Sequence, residues 1–295
     1  MTVNSITTNQ GKNIILNRAY SASPIYTPPS KFKVGIGQTS ASAVTTDLTL
    51  PVPISGTETV DACDVTTGWT ASASDSVSLN TAIYVEGVAA LNLIKGNTGT
   101  NYAYVSKSAT AKNFTSKKIW IYIYISDILY PLLKTSGTAL EIRYGTDSSN
   151  YYKKTYTAAD LVIGGNNINF SSATATSTVG SPTITSCGYV YIQYFTELNA
   201  TVTVANDFVY DNIVVASSDD YLQTFVSSYP IFDYTANETT IRCYLTSVEA
   251  NGYNLNTIGY FNTDGSPIMS DIDVFNDESK TFNDEFIFIR KNRIL

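Results

Sequence analysis

Between Thr57 and about Ser217 the chain alternates short apolar runs with polar clusters of Gly, Asn, Ser and Thr. Each run has the length of a β-strand, and the runs are spaced as in β-sandwiches and jelly rolls. The pattern therefore predicts an all-β domain over residues 57–217. Its predicted strands are Val77–Asn80, Ala89–Lys95, Tyr102–Ser106, Lys118–Ser126, Ala139–Gly145, Tyr151–Thr157, Asn167–Phe170, Gly188–Glu197 and Asp207–Val215.

The run Lys118–Ser126 differs from the others because both of its faces are apolar or aromatic. Isoleucines occupy every second position, and Trp120, Tyr122 and Tyr124 occupy the positions between them. A strand that is apolar on both faces is typical of the centre of a sheet that is covered on both sides. We predict a central strand here.

The two flanks of this region have a different pattern of apolar and polar residues. Asn13–Tyr20 has apolar residues at helical spacing and is followed by prolines, which predicts one short N-terminal helix that ends in an extended segment. The remaining flanking runs predict a few strands and one hairpin, with its tight turn at Asp264–Gly265. These strands are Phe32–Gly37, Asp47–Pro51, Ile241–Leu245, Thr257–Asn262 and Glu285–Ile289.

The composition narrows the chemistry that the chain can perform. Its 295 residues include 22 Tyr but no His, and only 15% are charged. Without His, the commonest general base, the Ser-His and Cys-His nucleophile pairs and imidazole-ligated metal sites are excluded. The paired carboxylates Asp271/Asp273 and Asp277/Glu278 are expected on turns, where Asp accepts hydrogen bonds from the backbone. We therefore expect a protein that is not an enzyme.

Charge and hydropathy argue against two further classes of partner. The net charge is −7, and nucleic-acid binding needs clustered cations. The one basic cluster, Arg290, Lys291 and Arg293, is expected to be a solvated tail. No run approaches the ~18 apolar residues of a membrane-spanning helix, and the N-terminus does not have the pattern of a signal peptide.

An odd number of distant cysteines predicts buried free thiols, at Cys63, Cys187 and Cys243.

The flanks resemble the tail-collar fibre domains of bacteriophages. Lys33–Gly37 followed by Asp47-Leu48 is similar to the opening motif of that family, and Asn254–Gly265 is similar to its hairpin. Thr257 stands where the family has an acidic residue, and Tyr260 replaces a Leu. The resemblance implies one virion-docking scaffold domain split into residues 1–56 and 218–295. It also implies other virion proteins as partners, a homo-oligomer (trimer or hexamer), and a place in the virion, which is assembled in the host cytoplasm.

The middle resembles the jelly rolls of carbohydrate-binding modules. The resemblance lies in Asp61–Asp64, Gly68-Trp69, Tyr84–Gly87 with Ala90-Leu91, and the closing strand Phe208–Val215. In such jelly rolls acidic groups from the first strand, a Glu-Gly turn and the last strand often share one structural Ca²⁺, a hard ion that prefers oxygen ligands. The alternative is that these carboxylates belong to ordinary turns and strand edges. The candidate ligands are Asp61 or Asp64, Glu86 and Asp211.

Aromatic residues are candidates for a sugar-binding surface, because their rings stack on the C–H faces of sugars while nearby polar groups address the hydroxyls. We expect them on a concave sheet face. Core packing or a protein interface is the alternative, since large aromatics dominate both. The candidates are Trp120, Tyr122, Tyr124, Tyr144, Tyr151, Tyr152, Tyr191 and Gln193.

Together these patterns predict an all-β protein in which a β-sandwich or jelly roll (residues 57–217) is inserted into a small, mostly-β scaffold. The expected function is structural: a component of a phage tail, baseplate or collar fibre that docks to other virion proteins and displays the jelly roll. A host-surface glycan-binding adhesin and a capsid decoration protein are the alternatives. No cofactor is required, and a structural calcium is the one ion implied.

Overall fold

The computed structural model describes residues 3–54, 57–96, 99–197, 205–217, 222–263, 267–281 and 284–293. Its contacts divide the chain into two compact units. The inserted unit is Gly56–Ser218, and the split unit combines Met1–Ser55 with Asp219–Leu295. The turn predicted at Asp264–Gly265 lies outside the described residues.

The described residues contain one α-helix and twenty-one strands, so the predicted all-β class with one N-terminal helix is confirmed. The first flank contains β1 (Asn4–Thr7), α1 (Asn9–Tyr20), β2 (Lys31–Ile36) and β3 (Leu50–Pro51). The middle contains β4 (Glu58–Asp61), β5 (Thr70–Ala71), β6 (Ser76–Asn80), β7 (Ala90–Ile94), β8 (Tyr102–Lys112), β9 (Lys117–Ile125), β10 (Leu140–Asp147), β11 (Asn150–Tyr156), β12 (Gly164–Ser171), β13 (Ser177–Val179), β14 (Cys187–Phe195) and β15 (Phe208–Ser217). The last flank contains β16 (Gln223–Thr224), β17 (Ile231–Asp233), β18 (Glu238–Leu245), β19 (Tyr253–Phe261), β20 (Met269–Lys280) and β21 (Phe286–Arg293).

The inserted unit is a sandwich of two antiparallel sheets. Sheet B has the order β12-β9-β15-β7-β6, with β4 paired to β15. Sheet C has the order β13-β11-β10-β14-β8-β5. The predicted central strand is β9, which lies between β12 and β15.

The core of the sandwich follows the period of two that strands impose on their side chains. On β9 the isoleucines at 119, 121, 123 and 125 face this core. On β10 and β14 the even-numbered residues do so, from Leu140 to Tyr144 and from Val190 to Tyr194. The odd-numbered residues of β10 and β14 must therefore point to the outer face of sheet C.

The split unit contains two sheets. Sheet A has the order β1-β20-β19-β2-β16, with β3 paired to β2. Sheet D has the order β17-β18-β21. The strands that carry the tail-collar resemblance are neighbours in sheet A, where Gly35 of β2 pairs with Thr257 of β19.

Helix α1 begins one turn earlier than predicted because Thr8 caps it. The Thr8 hydroxyl accepts a hydrogen bond from the Gly11 nitrogen at 2.9 Å and donates one to the Met269 carbonyl at 2.7 Å. Gly11 lies against β20, where an added Cβ would sit 2.1 Å from the Ser270 carbonyl oxygen. A glycine is therefore required at the point where the helix crosses sheet A.

Two expectations about the last flank were wrong. Asp271, Asp273, Asp277 and Glu278 all lie on strand β20 and not on turns, and the first two are buried. Arg290 belongs to β21 and not to a solvated tail; it is 7% exposed and forms ion pairs with both of these buried carboxylates. Tyr260 also donates a hydrogen bond to Asp273, at 2.7 Å. The acidic pair thus shares one cation and a tyrosine hydroxyl inside the split unit, because burying a carboxylate requires a partner.

The three cysteines are free and buried, as predicted. Helix α1 is too short and too polar to cross a bilayer, and no other helix in the described ranges is a candidate for doing so.

Candidate functional site

The outer face of sheet C brings polar and aromatic side chains from four strands together. The register sets Arg143 of β10 opposite Tyr191 of β14, and Glu141 opposite Gln193. On the far side of β14, Gln193 lies opposite Tyr104 of β8. We call this surface the sheet C face; it consists of Tyr102, Tyr104, Glu141, Arg143, Tyr151, Lys153, Tyr189, Tyr191 and Gln193.

Three tyrosines on the sheet C face form a row of near-parallel rings. The ring centroids of Tyr104 and Tyr191 are 4.9 Å apart, with an interplanar angle of 26°. Tyr102 stacks on Tyr104 from the other side, at 6.3 Å and 21°. The Tyr191 hydroxyl donates to Gln193 Oε1 at 2.8 Å, which holds the ring and the amide in one orientation.

Arg143 lies at the centre of this face. Its guanidinium carbon is 4.0 Å from the Tyr191 ring centroid and 4.9 Å from that of Tyr151, a cation–π arrangement with both rings. It also donates from Nε to Glu141 Oε1 at 2.7 Å. Burial lowers the pKa of Arg143, but the hydrogen bond and charge of Glu141, together with Tyr191 and Tyr151, raise it, so its pKa is raised overall. Lys153 lies 3.7 Å from the other Glu141 oxygen.

The side chains of the sheet C face contact one another but are not fully buried. Tyr151 and Tyr191 are 8% and 7% exposed, whereas Tyr102, Tyr104 and Arg143 are half-buried. Side chains held by stacking and hydrogen bonds lose little conformational freedom when a ligand binds. The surface thus offers aromatic rings, guanidinium and ammonium donors, and carboxylate and amide acceptors in a fixed arrangement.

The structure brings only some of the predicted sugar-binding residues together. Tyr151, Tyr191 and Gln193 share the sheet C face. Tyr144 does not belong there: it is fully buried in the sandwich core, where its hydroxyl donates to the Cys187 carbonyl at 2.8 Å. Tyr152 also points inward and packs against the core. The reason is the period of two, which sends even-numbered residues of β10 to the core.

Trp120, Tyr122 and Tyr124 lie on another surface, the outer face of sheet B. Trp120 and Tyr122 are only 2% and 7% exposed, and Tyr124 is half-buried. These three side chains therefore cannot form one platform with the sheet C face, since the two outer faces of a sandwich point in opposite directions.

Sequence reasoning missed Tyr104, Glu141, Arg143 and Lys153. Strand β10 reads Leu-Glu-Ile-Arg-Tyr-Gly, and its alternation already places Glu141 and Arg143 on the face opposite to Leu140 and Ile142. Choosing residues by aromatic type rather than by this alternation selected Tyr144 instead.

The four candidate calcium ligands fall into two hydrogen-bonded groups. Asp61 accepts from the Cys63 nitrogen at 3.0 Å, and Lys107 lies 2.5 Å from its second oxygen. Asp64 and Asp211 instead hold the turn that contains Glu86. Asp64 Oδ1 accepts from the nitrogens of residues 88 and 89, both at 3.1 Å, and Asp211 Oδ2 accepts from those of residues 85 and 86, at 2.7 and 3.2 Å.

Two carboxyl groups in this turn have strongly raised pKa values. Burial and the neighbouring Asp64 raise the pKa of Glu86 from 4.5 to about 7. Burial, with a smaller contribution from Glu86, raises the pKa of Asp211 from 3.8 to about 8, although three backbone hydrogen bonds oppose the shift. Oε2 of Glu86 is buried and has no hydrogen-bond partner.

These residues do not form a metal site as they stand. In the described ranges, no three His, Cys, Asp or Glu side chains are grouped so that they could hold an ion. Lys107 already neutralises Asp61, and backbone nitrogens already use Oδ1 of Asp64 and both carboxylate oxygens of Asp211. In the structure, the carboxylates of Asp64 and Asp211 hold the turn around Glu86 through hydrogen bonds to its backbone, an arrangement that we call the carboxylate clasp. The structural calcium stays a prediction.

Comparison with protein families and with curated proteins finds no matching family model and no matching protein. Comparison with solved structures finds β-sandwich domains, among them carbohydrate-binding modules. The family 11 carbohydrate-binding module from Clostridium thermocellum, in complex with a β-1,3-1,4-mixed-linked tetrasaccharide, is 12% identical, covers 56% of this chain and 98% of its own, and has a TM-score of 0.37.

Two further solved structures are similar over the same share of the chain. The K1 cleaved adhesin domain of Lys-gingipain from Porphyromonas gingivalis W83 is 14% identical, covers 56% of this chain and 99% of its own, and has a TM-score of 0.30. The CBM22-1 xylan-binding domain of Paenibacillus barcinonensis Xyn10C is 16% identical, with 56% and 96% covered and a TM-score of 0.29. None of these three is a phage protein.

Proposed function

We propose that this protein is a non-catalytic, glycan-binding protein of the adhesin type, and that the sheet C face is its binding surface. The observation that carries the proposal is the stack of Tyr104 on Tyr191, flanked by the Arg143–Glu141 pair and by Gln193. Ring surfaces beside charged and amide hydrogen-bonding groups match a ligand that has C–H faces and hydroxyls, as a sugar has.

Each part of the surface has a defined role in this proposal. The exposed edges of the half-buried Tyr102 and Tyr104 rings pack against the sugar, because the two faces of the Tyr104 ring are already covered by Tyr102 and Tyr191. The free N–H groups of Arg143 and the ammonium of Lys153 donate to hydroxyl oxygens, while Glu141 and Gln193 accept from hydroxyl groups. Because these groups are already held in place, binding orders few side chains. Several copies displayed together would add avidity.

A glycan array probed with the full-length protein, followed by calorimetry on the best ligand, tests the proposal. Replacing the half-buried Tyr104 by Ala should weaken binding at least about tenfold, the usual effect of losing a central aromatic contact. Tyr124→Ala is the matched control, because it removes a half-buried tyrosine from the outer face of sheet B and should leave affinity unchanged.

Two results would contradict the proposal. Folded protein that binds no glycan on a broad array would remove its basis. Binding that is lost in Tyr124→Ala but kept in Tyr104→Ala would move the site to sheet B, where Trp120, Tyr122 and Tyr124 lie.

For the split unit we propose the docking role that its tail-collar resemblance implies, with other virion proteins as partners. The pairing of β2 with β19 supports this role, because it joins the two resembling segments into one surface. Antibody labelling of phage particles in electron microscopy tests it: label on the tail supports a tail component, label on the head supports a capsid decoration protein, and unlabelled particles contradict both.

A further inference from the structure

Strand β21 is a long and regular edge strand. In the ranges that the structure describes, β21 pairs only with β18, over eight consecutive residue pairs with no bulge. One edge of its backbone therefore carries N–H and C=O groups with no strand beside them. Natural proteins usually protect such edges by making them short, bulged or covered. The opposite edge of sheet D is short, since β17 has only three residues.

The side chains of β21 make this edge apolar on both sides. Ile287 and Ile289 are 49% and 61% exposed on the outward face of sheet D. A groove of about 380 Å³ lies beside the strand; Phe286, Phe288 and Phe275 line it, together with Ile287 and Ile289. A strand laid along this edge would bury apolar side chains on both of its faces.

The charges along β21 indicate what kind of strand fits. Glu285 precedes the apolar centre and Lys291 follows it, so the segment is acidic at one end and basic at the other. In an antiparallel pair of two such segments, the acidic end of each meets the basic end of the other. The segment is therefore complementary to a second copy of itself.

One register satisfies both the charges and the apolar positions. If Phe288 lies on the two-fold axis, residues whose numbers add to 576 face each other, and the two members of each pair lie on the same face of the sheet. Glu285 then faces Lys291 of the second copy, and Ile287 faces Ile289. By symmetry each pair occurs twice. Shifting the register by two residues in either direction leaves one Ile–Ile contact instead of two and sets the other isoleucine of each copy opposite Lys291 or Glu285.

The geometry points to β21 as a self-association edge, through which two copies of this chain form a two-fold dimer by joining their sheets D into one antiparallel sheet. Backbone hydrogen bonds supply affinity, the Ile287–Ile289 contacts bury apolar surface, and the Glu285–Lys291 pairs set the register. Lys291 also lies 2.8 Å from Glu238 within its own chain, but it is 62% exposed and can reach a second carboxylate. The inference does not depend on glycan binding.

Sedimentation equilibrium of the full-length chain tests this inference through a charge swap. Wild-type protein should be dimeric. Glu285→Lys alone and Lys291→Glu alone should each weaken the dimer roughly tenfold, because each places two pairs of like charges face to face. The double variant Glu285→Lys/Lys291→Glu should restore it, since the opposite charges meet again in the 576 register.

Ile287→Lys should abolish the dimer, whereas Ile231→Lys should not. Ile231 has the same exposure, 49%, and lies on the outward face of sheet D but on β17, so it is the matched control. A wild-type monomer, a trimer or hexamer, or a double variant that stays as weak as the single ones would overturn the inference. Circular dichroism of each variant separates loss of association from loss of fold.

Discussion

At the scale of single residues, two carboxyl groups with raised pKa values, Glu86 and Asp211, lie at the turn around Glu86. Hydrogen bonds from the backbone of this turn to Asp64 and Asp211 close the turn. Asp211 lies at the bulge of β15, where Asn212 has a positive φ of 44°, and this local bend aims the Asp211 carboxylate at the nitrogens of the turn. Sequence reasoning could select Asp64, Glu86 and Asp211 as a group. It could not show whether they hold an ion or a turn, because that depends on which oxygens the backbone already uses.

The raised pKa values predict that stability falls as the pH rises. An acid whose pKa is higher in the folded state than in the unfolded state binds its proton more tightly when folded. The stability that Glu86 and Asp211 contribute is therefore fully present below about pH 4 and is lost as the pH rises through about 7 and 8. Thermal melting between pH 5 and 9 measures this.

Glu86→Gln should reduce that pH dependence, because the neutral amide cannot ionise in the buried turn, whereas Asp211 still titrates. Asp147→Asn is the control and should change nothing in this range, since backbone hydrogen bonds from Ser149 hold the pKa of the exposed Asp147 below its ordinary value. If millimolar Ca²⁺ raises the melting temperature of the wild type at pH 8 but not that of Glu86→Gln, the carboxyl groups form an ion site and the clasp interpretation is wrong.

At the scale of elements, most of the strands that could be predicted were found from the alternation of apolar and polar side chains at every second position. It located β9 and its isoleucine face correctly, because both faces of that strand are apolar. It failed where a strand runs through polar residues: β20 contains Asp271, Asp273 and Asp277, and such a sequence is typical of turns. Two of these carboxylates are buried on the strand and share ion pairs with Arg290 from a different sheet. That pairing depends on contacts between distant segments, which a local pattern does not reveal.

Where α1 crosses β20, we predict that replacing a glycine by alanine destabilises the protein, although alanine has the higher helix propensity. Replacing Gly by Ala inside a helix normally stabilises it by about 1 kcal/mol. At Gly11 the new methyl group would meet the Ser270 carbonyl, so Gly11→Ala should lower the free energy of unfolding by about 1–3 kcal/mol. Asn13→Ala, at an exposed position of the same helix, should be neutral or slightly stabilising. Urea unfolding compares them, and a stabilised Gly11→Ala would show that the helix is not held this close.

At the scale of the whole molecule, the two ends of the insertion are neighbours. Glu58 of β4 pairs with Val215 of β15, so the chain enters and leaves the inserted unit on adjacent strands. In an antiparallel ladder the Cα atoms of such a pair are about 5 Å apart. The tail-collar resemblance of the flanks suggested one domain split by an insertion, but sequence alone could not show how close the two ends of that insertion lie.

Replacing residues 57–217 by a short Gly/Ser linker should therefore leave the split unit folded. Its strands β2 and β19 pair with each other directly and do not need the insertion. The shortened protein should unfold in one cooperative transition and should not bind glycan, while the dimer through β21 should persist. An unfolded or aggregated product would contradict the independence of the two units.

The positions of the two tryptophans have an optical consequence. The chain contains only Trp69 and Trp120, and both are buried within the inserted unit. Tryptophan emission excited at long wavelength therefore reports on the β-sandwich alone, whereas backbone dichroism reports on both units. Monitoring the two signals in one denaturation series distinguishes loss of the sandwich from loss of the scaffold, with no label introduced.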